Sequence, residues 1–199
     1  VIEQLRDHAI YLVGFSMGGN MALKLAGEWG QSVPSQVRAV CAVSVPVDLS
    51  ACAYRLGQPQ NRFYERRFLR ELRETIQRKQ SLQPARYTLA DFSRIHSIVD
   101  FDEVYTAPCF GFRNAEDYYR QSSSKPFLSS IQIPTLMLQA QDDPFIPFEI
   151  FDEIPFERNK HLNLCAPAHG GHVGFLCAQK QRFWDAEQIL RFCELVSSQ

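Results

Sequence analysis

The hydrophobic pattern changes period several times along the chain. Residues 9–13, Ala-Ile-Tyr-Leu-Val, form a β-branched and aromatic run without polar alternation, which predicts a strand covered on both faces in a parallel sheet. The run passes directly into Gly14-Phe15-Ser16-Met17-Gly18-Gly19. Over residues 20–29, Met21, Leu25 and Trp29 recur at four-residue spacing and Gly30 follows, which predicts a helix with a glycine exit. Residues 37–45 predict a second buried strand, closed by Pro46-Val47-Asp48-Leu49. Residues 133–139 and 160–165 predict two more strands, and residues 182–195, with Phe183, Ile189, Leu190, Phe192 and Leu195, a final amphipathic helix.

Between residues 52 and 130 the strand pattern disappears. Polar, aromatic and arginine-rich helical segments replace it, which suits a helical cap inserted into one domain spanning residues 1–199. Residues 62–79 carry seven basic and three acidic side chains, and Tyr64, Phe68, Leu72 and Ile76 recur every fourth position, the pattern of a basic amphipathic helix. Such a helix either packs on the body of the protein or makes a weak peripheral membrane contact with anionic headgroups. Strands separated by helical stretches imply right-handed crossovers and a parallel sheet, so the class is α/β.

Charge and composition narrow the partners. The 21 basic and 22 acidic residues nearly cancel, so no global field favours nucleic acid. The longest apolar runs fall far short of the roughly 20 residues that cross a bilayer, and no signal-peptide core opens the chain, so a soluble cytoplasmic protein is expected. Six cysteines lie scattered without a Cys-x-x-Cys pair, as reduced packing thiols do.

The candidate chemistry sits in the first turn. Gly14-x-Ser16-x-Gly18 has the form of a nucleophile elbow, a strained strand-to-helix turn that lifts a serine hydroxyl above the sheet edge. Both flanking glycines are expected to be steric requirements. The bland alternative is a serine that only caps the helix. The following helix start aims free N–H groups at an oxyanion forming beside Ser16, with Met17 N–H as the first oxyanion-hole donor. A serine hydroxyl needs a base and an orienting carboxylate, and after an elbow they follow in the order acid, histidine. Asp142-Asp143-Pro144 follows the third strand; Asp143, four before Pro147, is taken as the acid and Asp142 as a partner for loop amides. Of His169 and His172, the second follows two glycines that let the loop fold inward, with Val173 and Phe175 to anchor it, and is taken as the base. A metal pair at the two histidines lacks further ligand spacing. No cofactor is required.

These residues, together with Val43-Ser44-Val45-Pro46-Val47-Asp48-Leu49, Phe101-Asp102, Thr106-Ala107-Pro108, Gly111-Phe112, Asp117-Tyr118-Tyr119, Pro134-Thr135-Leu136 and His169-Gly170-Gly171-His172-Val173-Gly174-Phe175, resemble the YheT-like, or embryogenesis-associated, α/β-hydrolase esterase family. The resemblance implies the C-terminal part of an α/β-hydrolase fold, strands five to eight of its sheet, and a catalytic set of Ser16, Asp143 and His172. It further implies hydrolysis of short- to medium-chain carboxylic esters or lipids through an acyl-enzyme. Thioester or amide cleavage by the same residues, or a non-catalytic binding protein on this scaffold, are the competing classes. Relatives carry an upstream segment with a second oxyanion donor, so the chain is expected to be truncated, with its first strand at an open sheet edge.

Overall fold

The computed structural model describes residue 5 and residues 7–85, 92–177 and 183–198. In chain order these hold β1 (Ile10–Phe15), α1 (Met17–Trp29), β2 (Val37–Val43), α2 (Leu49–Leu56), α3 (Arg62–Leu82) and α4 (Ile98–Phe101). There follow α5 (Ala107–Phe110), α6 (Ala115–Ser122), β3 (Thr135–Leu138), α7 (Glu149–Asp152), β4 (Leu162–Cys165) and α8 (Trp184–Ser197). They fall into two compact units, residues 1–48 with 123–199, and residues 49–122.

The first unit is built on a four-stranded sheet in the order β1-β2-β3-β4, parallel throughout. β2 reads Val-Arg-Ala-Val-Cys-Ala-Val and is buried at every position but Arg38, because helices cover both of its faces. On one face Cys41, Val43, Leu136 and Leu138 pack with Phe175 and Ile189, and Trp184, Phe192 and Cys193 of α8 close the layer. Each fully buried Val or Leu there stabilises the fold by roughly 1.5–3 kcal/mol. On the other face α1 approaches so closely that a methyl on Gly19 would lie 2.7 Å from Val45 Cγ2.

β1 lies at a sheet edge, with β2 as its strand neighbour. The expected two-sided cover fails here: Val13 and Phe15 are 45% and 44% exposed, and Met17, Met21 and Leu25 of α1 are exposed as well.

The helical insertion is shorter than residues 52–130. Leu49–Ser122 forms the second unit, whereas Ser123–Ser130 belongs to the first and packs on α1. Two contacts hold it there: the buried Asn20 side chain accepts the Ser124 N–H at 2.8 Å, and a methyl on Gly27 of α1 would lie 2.4 Å from Phe127 O.

In the second unit α2 and α6 share a core of Leu49, Ala53, Ala115 and Tyr119, while α3 buries Ile76 with Ile95 and Phe101. The inward stripe of α3 is Glu65, Leu69, Leu72 and Ile76, and Tyr64 faces outward, 43% exposed. The expected stripe at every fourth residue drifts by roughly 40° per step, so it cannot stay on one side; alternating steps of four and three can. α4 begins with a reciprocal cap between Ser97 and Asp100. The π-turn Asp102–Thr106 follows, and the Tyr119 hydroxyl donates to Asp102 Oδ2 at 2.7 Å. Burial raises the Asp102 carboxyl above its ordinary value, and burial together with that carboxylate pushes the Tyr118 phenol up to about 12. No helix among the described residues is long and apolar enough to cross a membrane.

Candidate active site

Ser16 occupies the junction of β1 and α1 with φ 51° and ψ −123°, a backbone conformation rare outside glycine. Two bonds hold it there: Ser16 N–H donates to Val43 O of β2 at 2.8 Å, and Asn20 N–H donates to Ser16 O at 3.1 Å. Gly14 is a steric necessity, since a methyl on it would sit 2.3 Å from Gly18 O. The same expectation fails for Gly18, where an added methyl meets no described atom within 4 Å. The crowding comes from the first turn of the helix folding back over the strand end, and Gly18 faces away from it. Met17 is the first residue of α1, so its N–H has no acceptor within the helix.

The structure brings the three candidate residues into one hydrogen-bonded row. His172 Nε2 stands 3.1 Å from Ser16 Oγ, and His172 Nδ1 stands 2.9 Å from Asp143 Oδ2. The Asp143 side chain is fully buried and that of His172 is 15% exposed. Asp143 Oδ1 accepts Phe145 N–H at 2.9 Å and Ile146 N–H at 3.2 Å, and Oδ2 accepts Gln139 Nε2 at 3.0 Å. With four donors around it the carboxylate has one orientation, and it fixes the imidazole with Nδ1 toward itself and Nε2 toward the serine. The Phe145 ring, 4.9 Å from the imidazole centre, flanks it.

The loop before α8 is shaped by Asp142, which accepts Gly170 N–H at 2.9 Å and Gly171 N–H at 2.8 Å and pairs with exposed His169 at 3.1 Å. The Gly171 amide, ahead of the smaller effect of His169, holds the Asp142 carboxyl below its ordinary value. Gly170 has no room for a side chain, because a methyl would lie 2.4 Å from the Phe175 ring. Phe175 is buried and anchors the loop as expected, but the Val173 side chain is 44% exposed. What ties Val173 down is its backbone: its N–H donates to Ser44 Oγ at 3.3 Å, and both residues take positive φ, 57° and 52°.

Two members of this arrangement were not anticipated. Gln139, 1% exposed, accepts Val45 N–H at 3.0 Å through Oε1 and donates through Nε2 to Asp143 and to Ala140 O at 3.2 Å. Its signal in the sequence is a lone amide closing the apolar run Thr135-Leu136-Met137-Leu138, one turn ahead of the acid. Ser44, fully buried after β2, has no comparable signal beyond being polar in an apolar stretch.

A parallel sheet in which a strand turns through a positive-φ serine into a helix, with aspartate and histidine delivered from later loops, defines an α/β-hydrolase architecture. Residues 1–178 match the family described as alpha/beta hydrolase fold, and the chain belongs to that family. It is 37% identical, over 82% of its length and 48% of the relative's, to the protein named "Putative esterase YheT" of Escherichia coli (strain K12). It is 30% identical, over 97% of its length and 44% of the relative's, to the monoacylglycerol lipase of Saccharomyces cerevisiae (strain ATCC 204508 / S288c). The chain thus spans about half the length of the curated relatives it matches. Among solved structures, the Pyrococcus furiosus esterase Pf2001 shares the fold with a TM-score of 0.52 at 14% identity, covering 98% of this chain and 59% of that one.

Proposed function

We propose that this chain carries the nucleophile, acid and base of a serine hydrolase that cleaves carboxylic esters of short- to medium-chain acyl groups. The observation that carries the proposal is the row from Asp143 Oδ2 through His172 to Ser16 Oγ, at 2.9 and 3.1 Å, raised on a positive-φ turn. An esterase and a lipase among the similar proteins support the ester as substrate class.

In this mechanism Ser16 Oγ attacks the ester carbonyl as His172 Nε2 takes its proton, and Asp143 stabilises the resulting imidazolium through Nδ1. The carbonyl oxygen, now an oxyanion, lies toward Met17 N–H and the positive end of α1. His172 returns the proton to the leaving alcohol, and an acyl-enzyme remains on Ser16. Water, deprotonated by His172, then attacks the acyl carbon, and His172 returns that proton to Ser16 Oγ as the acyl–oxygen bond breaks and the acid leaves.

The test is a series of p-nitrophenyl esters of increasing acyl length, with thioester and amide analogues, assayed on the intact protein and on Ser16→Ala. Turnover falling with acyl length beyond the medium range, and lost together with fluorophosphonate labelling in Ser16→Ala, is the expected result. Undiminished turnover in Ser16→Ala removes the serine from the mechanism, and preference for thioester or amide removes the ester assignment.

A further inference from the structure

Helix α3 carries two charged faces of different design. At roughly 100° per residue, Arg62, Arg66, Arg70 and Arg73 fall within about 80° of its circumference, while Arg67, Glu71, Glu74 and Arg78 lie on the far side. On the far side the two signs are mixed, and Arg67 Nε donates to Glu71 Oε1 at 2.8 Å. Arg62, Arg66 and Arg70 form no ion pair with any described residue. Like charges repeated at three- and four-residue steps repel and weaken a helix, so this face is not explained by helix stability.

The arginines open onto a groove of about 430 Å³ within the second unit, floored by Leu69 and Ile95. His96 also lines it, and its backbone N–H is fixed by Asp100 Oδ2 at 2.9 Å. Arg73 is held by the face of the Phe92 ring, 4.9 Å from its guanidinium carbon. Two carboxylates border this region and both are engaged. Glu65, 7% exposed, accepts Ile98 N–H at 3.1 Å, and Asp100 Oδ2 accepts the His96 and Ser97 N–H groups.

We propose that this groove binds the phosphate group of a phosphomonoester, carried by a soluble metabolite or by a lipid headgroup. Neighbouring guanidiniums one turn apart, roughly 5–6 Å at their bases, can each present a two-pronged donor edge to the same phosphate. Tetrahedral phosphate, with three free oxygens, meets donors from several directions at once; a planar carboxylate fills one such edge. The groove is short, one helix face long, and the chain's net charge of −1 provides no wider basic track for a nucleic acid backbone.

The test uses glycerol 3-phosphate, with glycerol as the uncharged control, in titration calorimetry on the intact protein, and co-sedimentation with phosphatidylcholine vesicles with or without phosphatidic acid. The paired substitutions Arg66→Gln/Arg70→Gln and Arg67→Gln/Arg78→Gln remove the same charge from the two faces. Loss of two bidentate contacts is expected to weaken binding at least about tenfold in the first pair, and less than about twofold in the second. Binding of glycerol 3-phosphate alone identifies a soluble ligand, and sedimentation only with phosphatidic acid identifies the headgroup; either supports the site. Equal weakening by both pairs reduces the effect to bulk charge and overturns it, as does native protein that binds neither probe. Neither readout involves Ser16, so either outcome leaves the ester-hydrolase reading to its own experiment.

Discussion

Replacing Gln139 by Leu removes one side chain that serves three partners. Val45 N–H loses its acceptor in a buried position, which costs about 1–3 kcal/mol, and the Asp143 carboxylate loses one of its four donors, a charged hydrogen bond worth about 1.5–3 kcal/mol. Partial relaxation brings the sum to about 2–4 kcal/mol, and at roughly 2–4 °C per kcal/mol for a chain of this size the midpoint falls by about 4–16 °C. Gln139→Glu is the sharper perturbation. It keeps the acceptor for Val45 but puts a second carboxylate oxygen where Nε2 stood, 3.0 Å from Asp143 Oδ2. Two unit charges about 4 Å apart repel by about 4 kcal/mol at an effective dielectric of about 20. At about pH 9, with the introduced carboxyl ionised, the near-isosteric Glu variant should therefore be less stable than the Leu variant. At about pH 5 the order should reverse, because a protonated carboxyl donates to Asp143 while still accepting from Val45. Urea melts followed by far-ultraviolet circular dichroism at the two pH values read both differences. A Glu variant that is the more stable at both ends would refute the reasoning, since it would mean that Gln139 does not donate to the acid.

Gly14→Ala should abolish soluble folded protein or fluorophosphonate labelling, because the added methyl meets backbone at 2.3 Å, whereas Gly18→Ala should keep both; equal tolerance at the two positions would contradict the packing. Asp142→Ala leaves Gly170 and Gly171 N–H without their acceptor, and the looser histidine loop should lower ester turnover by about tenfold to a hundredfold with labelling still measurable. Asp117, 6% exposed at its side chain, is held well below the usual carboxylate range by the guanidinium of Arg113 and then that of Arg120. Its folded value lies below an unfolded one of about 3.9, so its stabilisation is complete above that value and disappears as pH falls through the folded value. Asp117→Asn should accordingly melt lower at neutral pH and show a flatter acid limb in thermal melts; an unchanged acid limb would count against the pairing.

The strands were legible because burial on two faces erases polar alternation, which is what residues 37–45 and 133–139 display. The row of Ser16, Asp143 and His172 was legible for a different reason: a tight turn imposes glycine at position 14, and the loop chemistry of Asp-Asp-Pro and His-Gly-Gly-His stands out against apolar neighbours. Other features depend on contacts distant in sequence. Nothing local to Ser123-Ser124 says that Asn20, more than a hundred residues earlier, claims its backbone. The buried face of α3 includes a glutamate, because Glu65 can satisfy the first N–H of α4, so a pattern of apolar residues alone pointed the stripe one residue away. β1 carries the composition of a covered strand and shows exposed Val13 and Phe15, since composition records which side chains are present and not which neighbours stand beside them.

Ser16, Ser44 and Val173 are the non-glycine residues with positive φ among those described; Ser16 Oγ meets the imidazole of His172, and Val173, the next residue in the chain, donates its N–H to Ser44. A left-handed conformation costs an L-residue roughly 1–2 kcal/mol, more for a β-branched one such as Val173. The molecule therefore keeps its least comfortable backbone beside the row of Ser16, His172 and Asp143. Selection for heat resistance alone would find its easiest gains in glycine at these positions, and would thereby trade the aim of the hydroxyl for robustness.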